Sequence, residues 1–463
     1  MKRDRSELLL REPSLYKAFL ILTLPVFGAN FMKAFNELVD TYFIGQMANS
    51  VSAQAGVALA WPLLNIFASF QVGFGVAGVA AVSQLLGAGR EERAKENAGV
   101  LTVIALLFGV GLNLLLYLIA PGVMGLMGAE GGVLECAVSY VRTRSFELVF
   151  TFLFFAFQAI RQARGDTLTP VLLSVTAVVL NIILTGVFVQ VLGLGVFGAA
   201  LATVLGNVAV APFCLLLLFH PDQPMPLELR HLRVHGPVLW RLCRLAAPAA
   251  SSQALSSLGF LVLQGIILSY GDEISAAFSI GNKVSNMLLM PVLALGSVLA
   301  AFVGQNIGAG NSERARQAYF VSRNTAFLMA VAGSLLLYPL RSWTVAALSN
   351  DAATQAAALE YLFWVLLTQP LMALFQNYLG VFNGSGKTSY AFLMSTCRLW
   401  VIRLPILTFF RHFTAVGASG VWYAMNISNL LILLLGTVLY RRVDFTPCAA
   451  AGLGEAGEEV TNQ

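Results

Sequence analysis

Five polar side chains punctuate the first long apolar run, LTLPVFGANFMKAFNELVDTYFIG: Asn30, Lys33, Asn36, Glu37 and Asp40. On a helix turning about 100° per residue they share one face about 120° wide, and the opposite face is apolar. Ionisable groups inside hydrocarbon are costly, so this face is expected to look into a helix bundle or a wet cavity. Lys33 and Glu37 are four residues apart and can pair. Asn36 and Asp40 have the same spacing, so the amide can donate to the carboxylate. A bare carboxylate is unfavourable in low dielectric, and a proton or a bound cation relieves it. That is the chemistry of ion-coupled transport: a cationic substrate or Na⁺ stabilises the charged form, and a proton discharges it. Asp40 is the first choice for coupling and Glu37 the second. The structural alternative is a Lys33–Glu37 pair with Asp40 hydrated near the outer helix end. Pro25 can loosen or kink the same helix.

Polar residues on later runs could line the same space: Glu147, Asn181, Lys283 and Asn286, then Gln369, Gln376 and Asn377. Each could equally be glue between helices. Met287 and Met290 are candidates for an adaptable apolar wall. Arg403 either pairs with an acidic group or snorkels outward. Enzyme chemistry finds little support. His220, His231 and His235 sit in one polar linker and His412 near a loop. Cys136, Cys214, Cys243, Cys397 and Cys448 form no CxxC pair, so no metal site or other cofactor is expected. Gly384-Ser-Gly386-Lys387-Thr388 looks like a phosphate loop, but the earlier glycine of that pattern falls on Val381. It reads better as a helix–helix turn, so energy must come from an ion gradient, at about 2.3 kcal/mol per charge per 100 mV. No selectivity-filter loop suggests a channel.

The elements that hold these residues are membrane spans. Of 463 residues, 58% are hydrophobic and only 11% charged, where a soluble domain carries about 25%. The 41 glycines suit close helix contact. The net charge of +5 lacks the basic clusters beside exposed aromatics that nucleic-acid binding requires. At roughly 20 apolar residues per span, about twelve helices are expected: 16–43, 53–83, 97–120, 133–158, 167–190, 195–219, 240–268, 274–303, 317–340, 354–381, 389–410 and 417–440. Basic residues gather after even-numbered spans: Arg90, Arg93 and Lys95; Arg161 and Arg164; Arg230 to Arg244; Arg314 and Arg316; Lys387; Arg441 and Arg442. The positive-inside rule then sets both termini in the cytoplasm. The sequence divides into an N-terminal six-helix lobe (1–219), a linker (220–239), a C-terminal six-helix lobe (240–440) and a cytoplasmic tail (441–463).

The two halves repeat. Gln84-Leu-Leu-Gly87-Ala-Gly89 returns as Gln305-Asn-Ile-Gly308-Ala-Gly310, about 221 residues on. Gly165-Asp166-Thr167 returns as Gly386-Lys387-Thr388, Gly195 and Gly198 as Gly417 and Gly420, and Asn207 as Asn429. A constant offset indicates internal duplication. Even span counts give both halves one orientation, as in a two-lobed carrier with a central cleft.

These motifs, with Val39-Asp40-Thr41-Tyr-Phe-Ile-Gly45, Arg164-Gly165-Asp166-Thr167…Pro170, Asn181 and Pro248 opening helix 7, give a chain that resembles the multidrug and toxic compound extrusion (MATE) family of antiporters over nearly its whole length. The resemblance implies an all-α, twelve-helix, V-shaped protein in a bacterial plasma membrane. It implies export of amphipathic, usually cationic compounds against H⁺ or, second, Na⁺. It makes Asp40 the cation-coupling residue, with Asn181 a polar position of the same lobe. Many members carry a second aspartate one turn after Asn181; here that position is Thr185, which leaves Glu37 as the substitute. Lys33 is unusual in a cleft for cations. Lys33, Lys283 and Arg403 sustain an alternative, a flippase or exporter of lipid-linked or anionic amphiphiles. With both lobes in one chain, a functional monomer is expected.

Overall fold

The computed structural model describes residues 6–45, 50–349 and 351–446. The basic residues Lys2, Arg3 and Arg5, Cys448 and the tail from 447 lie outside the described residues. In lipid every backbone group must be satisfied within its own segment, which for apolar runs of this length means helix. After a short α1 (Ser6–Leu10) come α2 (Leu15–Gly45), α3 (Ser50–Gly87) and α4 (Glu91–Leu126). Then comes a pair of helices, α5 (Gly131–Ser145) and α6 (Glu147–Ala163), bent by 42° at Phe146. Next, α7 (Leu168–Thr185) runs on as a π-helix (Gly186–Val191), and α8 (Gly195–Phe219) completes the first half. The second half holds α9 (Gly236–Leu268), α10 (Asp272–Gly308), α11 (Ser312–Leu348) and α12 (Ala352–Gly384). Its fifth span is α13 (Thr388–Thr396), a π-helix (Cys397–Arg403) and α14 (Leu404–Phe413), and α15 (Ser419–Arg441) is its last. Among the described residues eleven helices are long and apolar enough to cross a membrane, and the bent pair makes a twelfth if counted as one span. The protein is all-α and multi-pass.

Helix α9 starts at Gly236, with Pro237 in its first turn, so Pro248 lies inside it rather than opening it. The residues before α9 are tied down. Glu92 of α4 accepts from His231 Nε2 at 3.1 Å, while His231 Nδ1 accepts the Glu228 N–H at 2.9 Å. Arg161 donates to the Leu217 carbonyl at 2.9 Å and to Gln223 at 2.8 Å.

Two large apolar cores organise the helices, and each borrows from the other half of the sequence. The first is built from α3 to α6 and α8, and it takes in Val238, Leu242, Leu245 and Ala246 from the start of α9. The second is built from α10 to α13 and α15, and it takes in Leu15, Ala18, Phe19 and Leu22 from the start of α2. Phe19 stacks on Phe302 with ring centroids 4.6 Å apart. Each borrowed helix leaves that core near a proline. Pro25 follows Leu22 in α2, and Pro248 follows Ala246 in α9 before Leu263 and Ile267 join a separate cluster with Phe278, Tyr361 and Trp422. A proline removes one ladder hydrogen bond and lets the helix change direction at that level.

The duplicated Gln-x-x-Gly-x-Gly motif sits where α3 and α10 end against each other. Gln84 Nε2 donates to the Gly384 carbonyl at 3.1 Å, and Gln305 Nε2 donates to the Ala163 carbonyl at 2.6 Å. Both the donors and the acceptors are related by the 221-residue offset. A Cβ on Gly87 would overlap the Gln305 carbonyl, and a Cβ on Gly308 would overlap the Gln84 carbonyl. The last glycine of each motif has a left-handed backbone, φ 71° at Gly89 and 73° at Gly310, which ends the helix sharply. Gly384 thus belongs to this contact and not to a phosphate loop.

Overpacking a tight contact costs about 1–3 kcal/mol. Gly308→Ala and Gly87→Ala should each lower thermal stability in detergent by that order. Gly111→Ala, where a Cβ meets open space, should not. Equal melting of all three proteins would show that the α3 and α10 ends do not touch.

Candidate functional site

The second half of α2, beyond Pro25, leaves the second core and packs on α7. Its apolar stripe of Phe31, Phe35, Leu38 and Tyr42 is exposed, as a lipid-facing surface is. The polar face points the other way, and the structure divides its five residues into two groups.

The upper group centres on Asp40. Asn36 Nδ2 donates to Asp40 Oδ2 at 3.2 Å, and the Thr185 hydroxyl lies 3.5 Å from Oδ1. With the Asn181 amide turned so that its oxygen accepts from the Thr203 N–H and hydroxyl, both at 2.9 Å, its nitrogen donates to Asn36 Oδ1 at 2.8 Å and to Asp40 Oδ1 at 3.3 Å. Asn181 and Thr185 are one turn apart on α7 and both are buried. The network continues across α8: Asn207 donates to the Thr203 carbonyl at 3.0 Å and to Glu147 at 3.3 Å. Glu147 and Arg144 flank the α5–α6 bend and form an ion pair, with side chains 16% and 21% exposed. Arg144 also donates to Tyr140 at 3.1 Å and interacts electrostatically with Asp40 and Glu37. The predicted Asp40, Glu37, Asn36, Asn181, Thr185 and Glu147 therefore meet in one electrostatic neighbourhood.

Arg144, Tyr140, Thr203 and Asn207 are members that the sequence reading missed. Arg144-x-x-Glu147 is the signal that could have found the first: two opposite charges three residues apart within an otherwise apolar span. Asn207 was visible only as half of the Asn207/Asn429 repeat.

The lower group is Asn30 and Lys33. They line a cavity between α2, α6 and α7 with Gln158, Gln162, Thr167 and Ser174. Lys33 is exposed on its helix and senses Glu37, one turn on.

Candidates on the second half are dispersed. Lys283, Asn286 and Met287 form an exposed stripe on α10, and Met290 below them is half-buried. Gln369 is buried and spends both amide ends on Ser285, at 2.8 and 3.2 Å, so it joins α12 to α10. Asn377 is buried and accepts from Ser322 at 2.6 Å. Gln376 is half-buried on α12. Among the described residues Arg403 pairs with no acid, and it is too buried to snorkel. It donates to Ser428 at 2.9 Å and to Asn429 at 2.8 Å, and is 5% exposed. Its neighbour Arg398 lies over the Phe375 ring at 4.5 Å and donates to Met372 sulfur. Neutral acceptors suffice because an arginine cannot discharge itself and must find donors' partners wherever oxygen or sulfur is offered. Among the described residues no cluster of His, Cys, Asp and Glu could hold a metal ion.

A family model described as MatE matches this chain twice, over residues 25–187 and 248–409. The probable multidrug resistance protein YoeA of Bacillus subtilis is 26% identical over 435 residues, covering 92% of this chain and 93% of that protein. An FAD transporter of Shewanella oneidensis is 25% identical over 424 residues, covering 88% and 90%. Among solved structures, the outward-facing conformation of a multidrug resistance MATE family transporter of the MOP superfamily superposes with TM-score 0.89 at 23% identity, covering 96% of this chain and 98% of that one. A MOP superfamily transporter from Pyrococcus furiosus, described by the reverse polarity of its binding pocket, gives TM-score 0.89 at 22% identity over the same shares.

Removing one partner of a buried ion pair costs about 3–5 kcal/mol, and replacing both with apolar groups costs far less. Arg144→Leu and Glu147→Leu should each destabilise the purified protein by roughly 2–4 kcal/mol given their partial exposure. The double substitution should recover at least half of that loss. Additive losses in a thermal double-mutant cycle would mean the two charges do not act as a pair.

Proposed function

The chain belongs to the MatE family of secondary transporters, and we propose that it exports amphipathic organic compounds in exchange for H⁺. It is a membrane carrier of small molecules and not an enzyme. The observation that carries the coupling ion is the set of partners around Asp40. Both carboxylate oxygens face N–H or O–H donors, from Asn36, Asn181 and Thr185. Hard metal cations seek several oxygen ligands, whereas a proton needs only the carboxylate and donors that can rearrange. H⁺ is therefore favoured over Na⁺. Glu37 stands as the second acidic group, with Thr185 hydrogen-bonding where relatives of the family place an aspartate. An amphipathic cation would meet Asp40 and Glu37, with Met287 and Met290 supplying apolar wall.

The proposed architecture is two six-helix lobes, 1–219 and 240–440, in a V, with the linker 220–239 and the tail from 441 on the cytoplasmic side. The duplication and the two cores support it. The Gln84 and Gln305 bonds then lie at the cytoplasmic end and hold it shut, which fits an outward-open state. The bacterial plasma membrane is the proposed location, with the protein working as a monomer.

A second reading, export of anionic amphiphiles, is favoured by one feature of the second half. Among the described residues Arg398 and Arg403 have only neutral hydrogen-bonding partners, and Lys283 is exposed on α10.

In liposomes, an imposed pH gradient should drive a fluorescent lipophilic cation, a Na⁺ gradient should not, and Asp40→Asn should slow transport by about tenfold or more. Folded protein that moves no cation under either gradient would sink the leading reading and pass attention to anionic amphiphiles. The closed end gives a separate expectation. Each amide–carbonyl bond contributes about 0.5–1.5 kcal/mol, so Gln84→Ala with Gln305→Ala should raise the inward-open population by about tenfold. Electron-spin distances between labels at Ala88 and Glu313 would lengthen. Unchanged distances would mean the two glutamines do not hold the seal.

A further inference from the structure

The polar cavity below Asp40 has the chemistry of an anion receptor. Its interior is small, about 30 Å³, and it opens through a wide mouth. Lys33 is the one charged residue in its lining, and the lining holds no carboxylate. Thr167 is 4% exposed, and its hydroxyl has no hydrogen-bond partner. Ser174, Gln158 and Asn30 face the same cavity, and none of the three makes a side-chain hydrogen bond within the described residues. Unsatisfied buried polar groups are costly, and natural proteins retain few of them without a reason. One ammonium, two hydroxyls and two amides converging on one space offer several donors to a single oxyanion. Charge-assisted hydrogen bonds are the strong ones, and a lysine serves as the point charge in such receptors. Glu37, one turn further along α2, is the charge nearest in sequence that faces Lys33. It tempers the ammonium without entering the cavity lining.

We propose that this cavity binds an acidic head, a carboxylate or phosphate monoester, of an amphiphilic substrate, with Lys33 as the charge and Thr167, Ser174, Gln158 and Asn30 as donors. It rests on the second reading given above, export of anionic amphiphiles, and names the head group such a compound would carry. The apolar body of such a compound would extend past Val26 and Val171, which also line the cavity. The head could come from a free amphiphilic acid or from a lipid, and the two sources differ in what competes for the site.

The test is direct binding to the full-length protein in uncharged detergent, with no gradient applied. Dodecyl phosphate is the probe and dodecyltrimethylammonium its cationic counterpart, read by calorimetry. Saturable binding of dodecyl phosphate is expected, at least tenfold weaker in Lys33→Gln, largely retained in Lys33→Arg, and weakened severalfold in Thr167→Val. Competition by phosphatidic acid but not phosphatidylcholine would assign the site to a lipid headgroup; no competition by either would assign it to free acids. Equal dodecyl phosphate binding by native protein and Lys33→Gln would overturn the proposal, as would binding of the ammonium probe alone. Thermal unfolding of each variant separates lost binding from lost fold. Because binding is read without transport, a protein that binds the oxyanion but exports nothing would defeat the transport reading and leave this site standing.

Discussion

Each half of this molecule completes its core with the start of the other half's first helix. Leu15, Phe19 and Leu22 of α2 are buried among α10 and its neighbours as members of the same core. Leu242, Leu245 and Ala246 of α9 occupy the equivalent position in the first half. Neither core can close without a segment whose remainder lies elsewhere. In lipid there is little hydrophobic force between helices, so close packing has to supply the association. Exchanging helix starts gives a large packed area that is covalently tied to both sides. The prolines at 25 and 248 then let the upper parts of α2 and α9 serve different surroundings from the lower parts. The Asp40 network hangs on that freedom, because it is the upper part of α2 that reaches α7.

The duplication preserved this mechanical plan and discarded the charge plan. Asn207 and its repeat partner Asn429 each hold a charged side chain, but the first holds Glu147 and the second Arg403. The first half mixes Lys33 and Arg144 with Glu37, Asp40 and Glu147 around one polar face. The second half keeps Arg398 and Arg403 on neutral acceptors.

Much of the fold was legible because apolar length and charge placement are one-dimensional signals. Eleven of the expected spans coincide with a helix or a continuous helical run, the expected 133–158 falls on the bent pair α5–α6, and the motif Gly165-Asp166-Thr167 does fall between helices, α6 and α7. The bend at Phe146 was not legible, since no proline or glycine marks it; its trace was the charge pair on either side. Asp40, Asn36, Asn181 and Thr185 could be grouped from helical spacing and resemblance. Their donors from α8 could not, because Thr203 and Asn207 look like ordinary small polar residues in an apolar helix. Arg403 shows the same limit from the other side: an acidic partner or an outward reach was expected, but its partners lie on α15, a helix whose register against it no local pattern encodes. The Gln-x-x-Gly-x-Gly repeat was conspicuous, yet its meaning needed three dimensions, since each glutamine reaches across to the opposite half.

That reach ends on main-chain carbonyls, of Ala163 and Gly384. A carbonyl is supplied by any residue, so the receiving positions are free to drift so long as they stay small: Gly384 itself lies against Ala300 with no room for a Cβ. The giving positions have no such freedom. Statistical coupling between columns of an alignment depends on both partners changing together, and here only one partner is written in the genetic text. These two bonds between the halves would leave no covariance, so a contact map inferred from correlated substitutions would lose them while recovering side-chain contacts such as Gln162 with Ser297.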